Sequence, residues 1–134
     1  RKVRHIDAQL AYEPRDQFLP FHQRDKRWSA IVAHRRAGKT VACVNELVLR
    51  ALYTTKKNPR YAYIAPFYAQ AKNIAWEYLK DAAEPFTATS KDIRESDLSV
   101  KLVNGSVIRL ETAVRVYGQK LYYLLYPTEK DGRL

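Results

Sequence analysis

A short apolar run, Ser29-Ala30-Ile31-Val32-Ala33, leads into a charged turn from His34 to Lys39, and from Thr40 the chain takes up a helical pattern. Val41, Val44, Leu47, Val48, Ala51 and Leu52 recur at spacings of three and four, which places them on one helix face. The run before the turn is short and contains β-branched residues, the signature of a buried strand. A second unit of the same kind comes next. Tyr61-Ala62-Tyr63-Ile64-Ala65 predicts a strand ended by Pro66. Ala69 to Ala83 predicts a helix with an inner face of Ala71, Ile74, Ala75, Tyr78, Leu79 and Ala82, stopped by Pro85. Strand–helix–strand–helix is the order of an α/β fold in which helices flank a mostly parallel sheet.

The flanks are less regular. Residues 1–27 are polar and broken by Pro14 and Pro20, so they read as an arm with one short helix at most. Glu84 to Asp97 reads as polar loop. Leu98, Val100 and Leu102 then alternate with polar residues, and Asn104-Gly105 separates them from Ser106-Val107-Ile108-Arg109-Leu110. Asn-Gly between two β-like runs predicts a hairpin with a type I′ turn, which needs positive φ at both positions. Residues 112–134 contain Val114, Val116 and the run Leu121-Tyr122-Tyr123-Leu124-Leu125-Tyr126, and nothing in them assigns a role. The expected division is an arm over 1–27, a core over 28–111 and a divergent tail over 112–134.

Composition narrows the class. A chain of 134 residues with 46% apolar content buries enough surface for a real core. No apolar run approaches the length of a membrane span, and no apolar core comes after the basic Arg1-Lys2-Val3-Arg4-His5. A single cysteine, Cys43, excludes a disulfide framework within the chain and suits a reducing cytoplasm. The net charge of +10 is uneven: residues 1–60 hold 14 basic and 5 acidic residues, and the remainder is nearly balanced. A basic half points to a polyanion as partner, with a merely solvated surface as the alternative.

The turn carries the chemistry. Ala33-His34-Arg35-Arg36-Ala37-Gly38-Lys39-Thr40 matches the phosphate-loop pattern, glycine, four residues, then Gly-Lys-Thr, except that Ala33 replaces the first glycine. Each position has a physical task. Gly38 lets main-chain amides approach phosphate oxygens, and the helix after it aims free N–H groups at an anion. Lys39 is a point charge for the outer phosphates, and the Thr40 hydroxyl suits a Mg²⁺ shell. Arg35 and Arg36 add guanidiniums suited to bidentate phosphate contact. The expected site is therefore Ala33 through Thr40, with a nucleoside triphosphate (ATP, on the resemblance described next) and Mg²⁺ as ligands and Lys39 and Arg35 in the catalytic roles.

At this loop the chain resembles the N-terminal ATPase domain of the large terminase subunit of tailed phages and prophages, the motor that packages DNA. Arg35-Arg36-Ala37-Gly38-Lys39-Thr40 matches that family's loop, which needs no leading glycine. Tyr12-Glu13-Pro14-Arg15-Asp16-Gln17 with Phe21-His22 is similar to its adenine-recognition segment. Tyr63-Ile64-Ala65-Pro66, Gln70-Ala71-Lys72 and Trp76 are similar to the strand and helix after the loop, and Asn104 to Leu110 to a later hairpin. The resemblance covers residues 12–111. It implies a P-loop NTPase-type core, incomplete here because the later strands are missing. It also implies Gln17 as the adenine reader, and a loop arginine that stabilises charge on the transferring phosphoryl group. The partners it implies are double-stranded DNA, a portal protein, a small terminase subunit and a ring of copies, in the cytoplasm of a bacterial host.

After Glu111 the resemblance ends. The family continues to an apolar strand closed by an Asp-Glu pair, and this chain has Leu121 to Glu129 in its place, with Glu129 a distant substitute. A nuclease domain is absent as well. The expectation is thus a fragment deficient in hydrolysis. The alternatives are another P-loop DNA translocase or helicase-like ATPase, or a remnant that binds only nucleotide or DNA.

The remaining residues give weaker signals. Gln23 is a rival to Gln17, and Arg15 a second candidate for the same pocket. Arg24, Lys26 and Arg27 read as a solvated face before a DNA track. His5, His22 and His34 lack the spacing of metal ligands. Cys43 reads as a packed residue. Asp92, Glu95 and Asp97 read as a polar loop, and Tyr122, Tyr123 and Tyr126 as packing residues before base-stacking ones.

Overall fold

A computed structural model describes residues 11–112 of the chain. Its elements are α1 (Leu19–His22), α2 (Lys39–Tyr53), β1 (Arg60–Ala65), α3 (Tyr68–Gln70), α4 (Glu77–Ala83), β2 (Ile93–Arg94), β3 (Ser99–Lys101) and β4 (Val107–Thr112). The protein is α/β: helices pack against a four-stranded sheet of order β1-β4-β3-β2. The expected tail beyond Thr112 and the first ten residues of the arm lie outside the described residues, and with them Tyr122, Tyr123, Tyr126, Glu129 and His5.

The sheet is mixed where a mostly parallel one was expected. β1 and β4 run parallel with Arg60 opposite Val107 and Ala65 opposite Thr112, while β4–β3 and β3–β2 are antiparallel. The physical reason is the length of the connections. The helices after β1 supply a crossover long enough for a parallel return, whereas the short Asn104-Gly105 link permits only an antiparallel one. The strand expected over Ser29–Ala33 is not formed: the segment pairs with no strand among the described residues, and Val32 is 98% exposed. A β-branched run becomes a strand only when a neighbour takes its main-chain groups.

α2 begins at Lys39 and buries Val44, Val48, Ala51 and Leu52, with Val41 and Leu47 half-buried at the margin of the same face. Its carboxyl end is held by the hairpin. Asn104 Nδ2 donates to the Ala51 carbonyl at 2.7 Å, and Ser106 Oγ donates to the same oxygen at 2.7 Å. The turn has positive φ only at Gly105, with the Gly105 N–H donating to the Leu102 carbonyl at 2.9 Å and the Leu102 N–H to the Ser106 carbonyl at 2.8 Å. That is a three-residue hairpin loop with a glycine bulge, not type I′. It frees Asn104 to bond α2 while its Oδ1 accepts from the Ser106 N–H at 3.1 Å.

The second helix differs from its expected register. α3 passes into a π-helical stretch, Ala71–Trp76, and then into α4. The wider turn rotates the residues after it about the helix axis. Ala71, Ala75, Trp76, Leu79 and Ala83 are buried, while Ile74 and Tyr78, expected in the core, are 49% and 45% exposed. Together with Phe86, Leu98, Val100, Leu102, Ile108 and Leu110, the buried residues of this helix form the main core with α2. A smaller core joins Phe18, Ala37 and Ala42, with Ile31 and Ala33 against it. It ties the lead-in segment to the loop and to the first turn of α2.

Candidate phosphate-binding site

The loop between Ala33 and α2 is bent by two positive φ angles, +61° at Arg36 and +99° at Gly38. Glycine takes the second at no steric cost, and a Cβ at Gly38 would lie 3.4 Å from Arg15 Nη1. Gly38 is also the residue before α2, and no side chain caps the helix. Ala37 N–H donates to the His34 carbonyl at 3.4 Å, and Ala42 N–H to the Gly38 carbonyl at 3.0 Å. Among the described residues, the N–H groups of Arg35, Arg36, Gly38, Lys39 and Thr40 have no main-chain acceptor. The amino end of a 15-residue helix thus presents unspent donors and the positive end of its dipole.

Lys39 Nζ donates to the Ala33 carbonyl at 2.7 Å and to the His34 carbonyl at 2.8 Å, closing the bend. An ammonium has three donors, so one remains. His34 Nδ1 lies 2.6 Å from the Arg35 carbonyl. Arg35 and Arg36 are exposed. Above the loop lies a cleft of about 610 Å³, lined by Arg15, Arg35, Arg36, Lys39 and Thr40 with Ile74 and Tyr78 as its apolar wall. Its lining holds four cations and no carboxylate. The π-helical turn that takes Ile74 and Tyr78 out of the core leaves them in this wall.

The structure brings Ala33, His34, Arg35, Arg36, Ala37, Gly38, Lys39 and Thr40 into one bend. Gln17 is brought there too, in a specific position. Its Nε2 donates to the Ala37 carbonyl at 3.2 Å, and Arg15 Nη1 donates to the same oxygen at 2.8 Å. The side chain also lines a groove of about 320 Å³ with Pro20, Phe21, Ile31 and Val32. Gln23 lines neither cavity.

Arg24 corrects the solvated-face expectation. It bonds the Glu46 carboxylate through Nη1 and stacks over Phe21 at 4.5 Å. Lys26 and Arg27 remain exposed. Glu46, overlooked in the sequence, is a buried carboxylate on α2 that also meets His22 Nδ1 at 3.1 Å and Arg50 Nε at 3.1 Å. His22 Nε2 in turn lies 2.9 Å from the Tyr12 hydroxyl. Burial pushes the Glu46 carboxyl up, but the bonds from His22, Arg24 and Arg50 outweigh it and hold the group below the ordinary carboxylate range. Burial raises the Tyr12 phenol, with Cys43 and Glu46 adding to the effect. Burial also raises the half-buried Cys43 thiol, which disfavours its thiolate form. The polar loop's acids have separate tasks: Asp92 accepts from the Ala88 and Thr89 N–H groups, Glu95 from Trp76 and Lys80, and Asp97 faces Arg109.

Among the described residues no three His, Cys, Asp or Glu side chains gather as a metal centre, and no helix is long and apolar enough to cross a membrane. Family models, curated proteins and solved structures give no match to this chain.

Proposed function

We propose that the bend from Ala33 to Thr40 binds the triphosphate of ATP. The observation that carries this reading is the set of unspent N–H groups at Arg35, Arg36, Gly38, Lys39 and Thr40 beneath a cleft whose charged residues are all cations. Such an arrangement stabilises several negative charges at once and gives a neutral ligand little. Arg15, Arg35, Arg36 and Lys39 supply the side-chain charge. Gln17 and the groove beside Phe21 are the place for the base, since an amide both donates to and accepts from a base edge. Thr40, which lines the cleft, would hold Mg²⁺ through its hydroxyl. Mg²⁺ there would neutralise charge on the outer phosphates.

The described cleft supplies binding groups, so nucleotide binding is the activity assigned to this chain. The resemblance supports a wider reading, ATP-driven packaging of double-stranded DNA with a portal protein, a small terminase subunit and copies of the chain as partners.

The test is titration of the chain with Mg·ATP beside Lys39→Ala. Affinity for wild type with a loss of about tenfold or more in the variant supports the reading, because a charged hydrogen bond contributes about 1.5–3 kcal/mol. Equal affinity in the two would reject it.

A further inference from the structure

The lead-in segment touches the loop–helix unit at two separate places. One is the Ala37 carbonyl, held by Arg15 at 2.8 Å and Gln17 at 3.2 Å. The other is Glu46, held by His22 at 3.1 Å and by Arg24. Between them Phe18 is buried against Ala37 and Ala42. Glu46 sits seven residues into α2 from Lys39, about two turns and roughly 10 Å along the axis. It does not line the phosphate cleft or the groove beside Gln17.

Arg24 and His22 form the far end of a short rod whose near end is Arg15 and Gln17. α1 and the one-turn 3₁₀ helix Asp16–Phe18 leave little slack between them. A carboxylate that is buried and bonded by three cationic or imidazole groups fixes that far end strongly. We infer that Glu46 is a positioning residue for nucleotide recognition: it anchors His22 and Arg24 so that Gln17 is aimed at the base. The inference rests on the nucleotide reading above. A stabilising salt bridge alone would move every ligand's affinity together. An anchor for the base-reading side chain moves only the part of affinity that comes from the base.

The experiment compares ATP, GTP and inorganic tripolyphosphate on the full chain, on Glu46→Gln and on Glu46→Asp, with folding checked by circular dichroism. Wild type is expected to bind ATP more tightly than GTP or tripolyphosphate. Glu46→Gln is expected to lose about tenfold in ATP affinity, the effect of one charged hydrogen bond, and with it the preference over GTP, while tripolyphosphate binding holds. Glu46→Asp restores part of the preference. If Glu46→Gln does not fold, His22→Asn is measured in the same way and is expected to lose the same preference. An ATP preference that survives in a folded variant, or a uniform loss for all three ligands, overturns the inference. Failure of both variants to fold also overturns it, because the cluster is then structural only. Wild type that binds none of the three rejects the nucleotide reading itself, a distinct result.

Discussion

The ammonium of Lys39 lies 2.7 Å from the carbonyl oxygen of Ala33, six residues earlier, and so the side chain expected to meet phosphate also closes the loop that would hold it. Lys39→Met keeps the length of the side chain and removes both loop bonds. Its expected effect is loss of nucleotide affinity together with faster exchange of the Ala37 amide, which donates to the His34 carbonyl. Unchanged exchange would show that the loop is bent without Lys39.

Gly38 has φ of +99°, and a Cβ there would lie in van der Waals contact with the guanidinium of Arg15, so the strain of a substitution comes from the backbone. Gly38→Ala is expected to cost about 1–2 kcal/mol from the left-handed backbone alone. Thermal unfolding measures it, and an unchanged melting temperature would show that the loop relaxes freely.

The hairpin tip caps α2. Ser106 is fully buried and donates to the Ala51 carbonyl, and Asn104 donates to the same oxygen. Asn104→Ala and Ser106→Ala are each expected to cost about 1 kcal/mol, with the double variant costing less than their sum because one acceptor serves both. Urea denaturation of the three variants checks it, and strict additivity would contradict the shared acceptor.

The π-helical register makes opposite predictions for residues five apart. Leu79→Ala empties a fully buried site and is expected to cost about 2–5 kcal/mol. Ile74→Ser changes a half-exposed wall of the cleft and is expected to stay within about 0.5 kcal/mol. Comparable losses at the two positions would restore the uninterrupted α-helix.

This last contrast shows where local pattern stops informing. The three-and-four spacing of Val44, Val48 and Ala51 sufficed for α2, because one regular period decides which face is inward. One wide turn at Ala71–Trp76 rotates every later residue of its helix, and no local pattern announces it. The strand at Ser29–Ala33 failed for another reason: its composition is right, but pairing depends on a neighbour supplied from elsewhere in the chain. The bend from Ala33 to Thr40 was legible because its residues are contiguous. Glu46 was not, since His22 and Arg24 lie 24 and 22 residues before it and meet it only after α1 packs on α2.

Glu46 also gives a pH dependence. Its folded-state pKa is depressed, so its stabilisation is complete above the ordinary value of 4.5 and is lost as pH falls through the lower folded value. The stability gap between wild type and Glu46→Gln is expected to be widest near neutrality and to close in acid, below pH 4.5. Urea midpoints at several pH values measure it, and a gap that widens in acid would reverse the sign.

The most direct measurement is a titration of isotopically labelled protein with Mg·ATP, monitored through main-chain amide resonances. The expected result is that the largest shifts fall on Arg35, Arg36, Gly38, Lys39 and Thr40, whose N–H groups have no main-chain acceptor. Shifts centred elsewhere, or none at saturating nucleotide, would contradict the assignment of this bend to phosphate.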